Sequence, residues 1–210
     1  SELAFREVRL NQNTLNLQAL SGFSVAELLV LDHPQAQLVW DNTSLSFDGG
    51  LRLDPDGVLA WRHPSELSAS AITLNGGRLE IGSGQPQAFA LAAGITLPES
   101  SSQSATRSTL AIDNSSTLAY NGPAISLNHT LTFAGGGTFE NTNPMNLNSA
   151  NAQLVMQGGE LDRLSTESTS MGVNVDNEST ISNLSLNHVT PVQIAADASL
   201  SGSITVNSGG

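Results

Sequence analysis

The chain has 210 residues and carries 7 basic side chains against 19 acidic ones, a formal charge of −12 with a sequence pI of about 4.4. The basic residues, Arg6, Arg9, Arg52, Arg62, Arg78, Arg107 and Arg163, are scattered and all arginine, so nucleic-acid binding is not expected, nor any chemistry that needs a lysine. Zero cysteines exclude disulfides, thiolate catalysis and Cys-ligated metal centres. A chain of this length without one points toward export, where stray thiols cross-link. With 39% hydrophobic and only 12% charged residues, it has material for a packed core and too little charge for a disordered acidic tail. Its apolar runs, such as Leu28 to Leu31, fall far short of the ~20 residues of a membrane helix.

From the N-terminus onward, residues 1–37 are expected to hold a cap and the first strands. Ser24-Val25-Ala26-Glu27 matches a capping box and precedes Leu28-Leu29-Val30-Leu31, so the stretch 19–33 suits either a short helix or an apolar strand. A cap would cover the open end of a stacked fold. Residues 38–97 carry apolar-x-apolar units with the period of two that marks strands with one buried face. They include Leu38/Trp40, Leu45/Phe47, Leu51/Leu53, Leu59/Trp61, Ile72/Leu74, Leu79/Ile81 and Phe89/Leu91. Turn formers separate them, among them Asp48-Gly49-Gly50, Asp54-Pro55-Asp56-Gly57 and Asn75-Gly76-Gly77. Pro98 to Ser108 is rich in Ser and Thr, and the segment 98–109 is expected to be a loop or linker. The units resume over 110–210 with Leu110/Ile112, Leu118/Tyr120, Ile125/Leu127, Leu131/Phe133, Met145/Leu147, Leu154/Met156, Val173/Val175, Leu184/Leu186, Val192/Ile194 and Ile204/Val206.

Spacing selects the architecture. The anchors Leu38, Leu59 and Leu79, then Leu110, Leu131, Leu154, Val173 and Val192, recur about every 20 residues, the length of a coil of three short strands. The chain is therefore expected to be all-β, a parallel β-helix (β-solenoid) with coils stacked about 4.8 Å apart. The short links also allow an antiparallel β-sandwich or an open β-groove. Asparagine, concentrated after residue 110, suits corners, because it tolerates left-handed backbone and stacked amides form ladders. Trp40 and Trp61 lie one coil apart and end units whose partners point inward, which places both in the core rather than on a sugar-stacking platform.

The stretches Asn75-Gly76-Gly77-Arg78-Leu79-Glu80-Ile81-Gly82 and Thr130-Leu131-Thr132-Phe133-Ala134-Gly135-Gly136-Gly137-Thr138-Phe139-Glu140-Asn141 resemble the glycine-cornered coils of secreted bacterial β-solenoids. The families are the autotransporter passengers and the haemagglutinin-type exoproteins. The resemblance is compositional and spans roughly residues 38 to 206. It implies a non-catalytic extracellular adhesin or structural stalk, without cofactor or metal, at the bacterial cell surface. The first half departs from it at Arg52, Asp54-Pro55-Asp56-Gly57 and Arg62-His63-Pro64, whose longer links also suit a periplasmic lipid-carrying β-scaffold. Neither the start, Ser1-Glu2-Leu3, nor the end, Asn207-Ser208-Gly209-Gly210, shows a signal or cap pattern, so a longer parent chain is expected.

A polysaccharide-active β-helix enzyme would need paired carboxylates near a positive group on one face of the coil. Asp54 and Asp56 sit in a Pro-Gly turn, where Asp serves the turn itself. Glu160, Asp162 and Arg163 stand beside Gly158-Gly159 and read as a solvated corner. His33, His63, His129 and His188 lack a local ligand spacing and are expected at the surface. Gly135-Gly136-Gly137-Thr138-Phe139-Glu140 does not make the Gly-Gly-x-Gly-x-Asp calcium repeat, and only Thr130-Leu131-Thr132 has the Thr-x-Thr form of an ice-binding face. The remaining ligand classes are a protein or a neutral glycan, met through polar Asn and Thr flanks.

Overall fold

The computed structural model describes residues 2–17, 22–31, 33, 35–40, 44–64, 67–99 and 106–207. The chain is an all-β parallel solenoid of about nine turns, each of roughly 21 residues. All strand pairings among the described residues are parallel, which rules out the antiparallel sandwich and the antiparallel groove. One isolated bridge, Asp113 with Gly136, is antiparallel.

Each coil contributes to three faces. Face one is a nine-stranded sheet running from Thr14–Asn16 to Val192–Ile194. Faces two and three belong to a second sheet of fifteen strands, folded along a corner. In the middle coils the two faces have separate strands, as with Ser44–Phe47 on face two and Leu51–Leu53 on face three. Near the ends single long strands turn the corner, as Gly22–Leu31 and Glu160–Thr166 do. The stretch read as helix or strand is therefore strand over the residues described. Phe23 and Val25 point inward on one face and Leu29 and Leu31 on the next, and Glu2–Leu10 lies alongside as a parallel partner. That partner decides the matter, since tertiary pairing overrides a local capping signal.

Short strands of the form apolar-polar-apolar make the core. In Ile125–Leu127 and Met145–Leu147 the outer residues are buried and the middle one faces out. Stacking these triplets in register fills the interior with continuous columns, such as Leu38, Leu59, Leu79 and Leu110. Trp61 is buried and meets Phe89 edge-on with ring centroids 5.1 Å apart. Trp40 pairs with Trp61 in backbone register, but its side chain lies outside the described residues. The anchors hold for Leu131, Leu154, Val173 and Val192. They fail at one step: Leu110 stacks on Phe133, not Leu131, and Leu131 faces Ser108 instead. The slip follows the excursion after Pro98, of which residues 100–105 lie outside the described residues. The coils before and after it stack directly, Arg78–Ile81 on Arg107–Ile112.

Close approach of coils demands glycine at particular corners. A Cβ on Gly49 would lie 1.1 Å from the Glu27 carbonyl oxygen, and one on Gly122 would lie 2.5 Å from the buried Tyr120 hydroxyl. Among the described residues, face two is interrupted between Leu67–Ala69 and Gln87–Leu91, which share no pairing there although faces one and three continue past them. The corner after Ile81 leans on the following coil, where the Gly84 N–H donates to Asp113 Oδ2 at 2.6 Å. An open cleft of about 620 Å3, lined by Ala69, Ala71, Ala92, Ala93 and Pro123, marks the interruption.

Leu154 is 0% exposed, stacked between Leu131 and Val173, and its neighbour Val155 faces out. Leu154→Asp places an unpaired carboxylate in the core and is expected to cost about 3–5 kcal/mol. Val155→Asp is expected to leave the melting temperature within a few degrees of wild type. Thermal denaturation followed by circular dichroism reads both, and equal melting of the two variants would contradict this register.

Candidate functional site

Because apolar side chains fill the interior, chemistry is left to what points outward and to polar groups that break the pattern inside. Face three offers the most regular outward column. From Thr73 it runs through Thr96, Ser126, Asn146, Ser165 and Ser185 to Thr205, one polar and uncharged residue per coil in direct register. Thr73 and Thr96 approach within 3.2 Å through their hydroxyls. A corner column of asparagines borders it: Asn148 Nδ2 donates to Ser126 Oγ at 2.8 Å, and Asn187 Nδ2 to Ser165 Oγ at 3.0 Å. The Asn207 amide donates in turn to Asn187 Oδ1.

Over the last three coils this face becomes a trough of about 460 Å3. Its floor is Ser165 and Ser185, and Thr205 continues their column on the next strand. One rim is Arg163, Asn183 and Ser203, and the other is Asn187 and Asn207. Asn141, 0% exposed, holds the first rim in place: its Oδ1 accepts the Arg163 N–H at 3.0 Å and its Nδ2 donates to the Arg163 carbonyl at 2.8 Å.

The carboxylates weighed in the sequence fall in two places. Asp54 accepts from Arg52 at 2.7 Å and from Asn75 at 2.6 Å, and Asp56 takes a positive φ of 67°, so both serve their turn. Glu160 and Asp162 line a shallow groove on face two together with Glu140, Thr138 and Ser182. Glu140 and Glu160 are exposed, and Asp162 is occupied by Asn183 Nδ2 at 2.7 Å and Arg163 Nε at 3.5 Å. No group of three or more His, Asp or Glu side chains suited to a metal ion occurs among the described residues.

One histidine departs from its expected surface position. His188 is exposed and His33 half-buried, its Nδ1 accepting the Gln35 N–H, but His129 is only 2% exposed. Its Nδ1 lies 2.9 Å from the Pro98 carbonyl and therefore carries a proton. Nε2 lies 2.8 Å from Ser108 Oγ, which accepts the Gly76 N–H at 2.9 Å and whose one proton is shared between the Nε2 lone pair of the neutral ring and the Leu74 carbonyl at 3.1 Å. His129 so ties the point where the chain leaves the stack, Pro98, to the strand on which it returns. Parity was the missed signal: Ser108 shares the inward side with Leu110 and Ile112, and Asn141 shares it with Phe139. A polar residue at inward parity in an otherwise apolar column needs partners, and both have them.

Two carboxyl and phenol groups are also set by their surroundings. Burial alone would raise Asp113, yet the N–H groups of Gly84 and Ser115 and the Ser115 hydroxyl outweigh it and hold the carboxyl below its usual 3.8. Burial raises Tyr120, whose hydroxyl donates to the Pro123 carbonyl at 2.8 Å. Comparison with protein-family models, with curated proteins and with solved structures found no match for this chain. Among the described residues no helix is long and apolar enough to cross a membrane.

Burial holds His129 below its ordinary value of 6.5, against the opposing pull of the Pro98 carbonyl. A folded-state pKa below the unfolded one means that the unfolded chain takes up the proton first. The stabilisation is thus complete above pH 6.5 and is lost as pH falls below it toward the folded value. The urea midpoint is expected to drop between pH 7.5 and pH 5.5 in the wild type and to change much less in His129→Gln. Parallel slopes for the two proteins would contradict the assignment.

Proposed function

We propose that this chain is a non-catalytic adhesin or structural stalk segment of a larger bacterial surface or secreted protein, meeting a protein or a neutral glycan along its flank. The observation that carries the reading is the face-three column from Thr73 to Thr205, which repeats an uncharged hydrogen-bonding side chain on successive coils. Binding to such a surface is weak per coil and gains strength by repetition. A rigid rod with a filled core also suits a spacer. The composition supports export: no cysteine, no lysine and a charge of −12. That charge repels DNA and acidic polysaccharides, and the arginines do not cluster to offset it.

A second reading, a polysaccharide-active enzyme, draws on the groove that holds Glu140, Glu160 and Asp162. It lacks a buried carboxyl to serve as acid, since two of the three are exposed and the third is bonded to Asn183 and Arg163. The periplasmic lipid carrier needs a continuous apolar groove open to solvent. The cleft beside Ala69 and Ala93 is short, and the long apolar columns face inward.

A glycan array and a reducing-sugar release assay separate the readings. Adhesion without release is expected, together with negligible binding of DNA and polygalacturonate at physiological salt. Release that disappears in Glu160→Gln or Asp162→Asn would establish the enzyme instead.

A further inference from the structure

We propose that the trough over the last three coils of face three is a binding site for a neutral, extended oligosaccharide whose axis follows the stack. The inference rests on the glycan reading above and adds a place and a ligand class to it. Successive coils repeat at about 4.8 Å, and positions two apart along a strand lie about 6.7 Å from one another, so floor and rims form a grid of polar side chains. The grid is held from beneath. Asn141 fixes the Arg163 backbone from the interior, and the Asn187 amide bridges Ser165 Oγ at 3.0 Å and Glu167 Oε1 at 2.8 Å.

What the grid leaves unused is as regular as what it uses. The hydroxyls of Ser185 and Ser203 in the trough, and of Thr205 next in the column, have no side-chain partner among the described residues, whereas the neighbouring amides are committed: Asn183 to Asp162, Asn187 to Ser165 and Glu167, and Asn207 to Asn187. Each of these hydroxyls donates one bond and accepts others, the pattern that matches a ligand with hydroxyls on every unit. Charge selects against an acidic chain: the one guanidinium at the rim is paired with Asp162, and Glu167 stands at the opposite side. A peptide finds little apolar surface for its side chains, because apart from Pro144 and Leu164 the lining is Ser, Asn and Arg.

The test is an amide NMR titration of the whole chain with cellohexaose, β-1,4-mannohexaose and maltohexaose, with hexagalacturonate as the acidic comparison. At least one neutral hexaose is expected to shift the amides of Ser165, Ser185 and Asn187 saturably, with affinity rising about tenfold from the disaccharide to the hexaose as contacts on successive coils add. Ser185→Tyr, which fills the floor, is expected to weaken binding at least tenfold, whereas Thr132→Tyr on the outward side of face one leaves it unchanged. Circular dichroism confirms that both variants melt like wild type. The site is overturned if no neutral hexaose shifts these amides, if the shifts map to another face, if Ser185→Tyr binds as wild type does, or if hexagalacturonate binds as well as the neutral chains. Binding that maps elsewhere without release of reducing ends removes this site and leaves the adhesin reading standing. Release of reducing ends removes the non-catalytic reading and leaves the location standing.

Discussion

Everything in this molecule depends on parallel, in-register stacking of coils that cannot bury an apolar face alone. A strand of three residues hides two side chains only when the coils above and below supply the same two positions. Leu127 on Leu147 and Met145 on Leu164 show the consequence: like sits on like, and the core is a set of columns rather than an interdigitated centre. Register is therefore severe, since a shift by one residue would turn each buried leucine outward.

That constraint explains where polar residues enter the interior. Where the chain leaves the stack after Pro98 it must return in register, and the returning strand brings Ser108 to an inward position opposite Leu131. A serine there is tolerable because His129 and Gly76 meet its oxygen. Asn141 does the same at the corner between faces two and three, replacing backbone partners that Arg163 would otherwise lack. Ser108 with His129, and Asn141, thus mark departures from the repeat, and each is matched to the departure it repairs.

The architecture was legible because its signal is local. Period-two triplets, glycine corners and a recurring interval need no knowledge of distant contacts, and they survive in columns such as Leu131, Leu154, Val173 and Val192. The register slip at Leu110 was not legible, because equal spacing and equal residue type cannot report an insertion that adds residues between coils. Gly22–Leu31 stayed open between helix and strand for the opposite reason: Ser24 and Glu27 carry a helix-start pattern, but the long strand before them supplies backbone partners that no local pattern contains. The buried His129 escaped because a histidine between Asn128 and Thr130 looks like a corner residue until Pro98 and Ser108 are brought to either side of it.

A convex rod turns its outward side chains away from one another, so a solenoid of this kind does not gather groups around a point unless a face is hollowed. Face three is hollowed where long strands turn the corner, at Arg163 and Asn183, and there its rims stand on both sides of the hydroxyl column. The carboxylates Glu140, Glu160 and Asp162 lie on the neighbouring face, on the far side of that corner. Asp162 and Arg163 are adjacent in the chain yet serve opposite sides of the bend, and their ion pair runs across it. The corner thus divides an acidic flank from a neutral polar one. The neutral oligosaccharide proposed for the trough would meet the second without displacing any of the charges that keep the first in water.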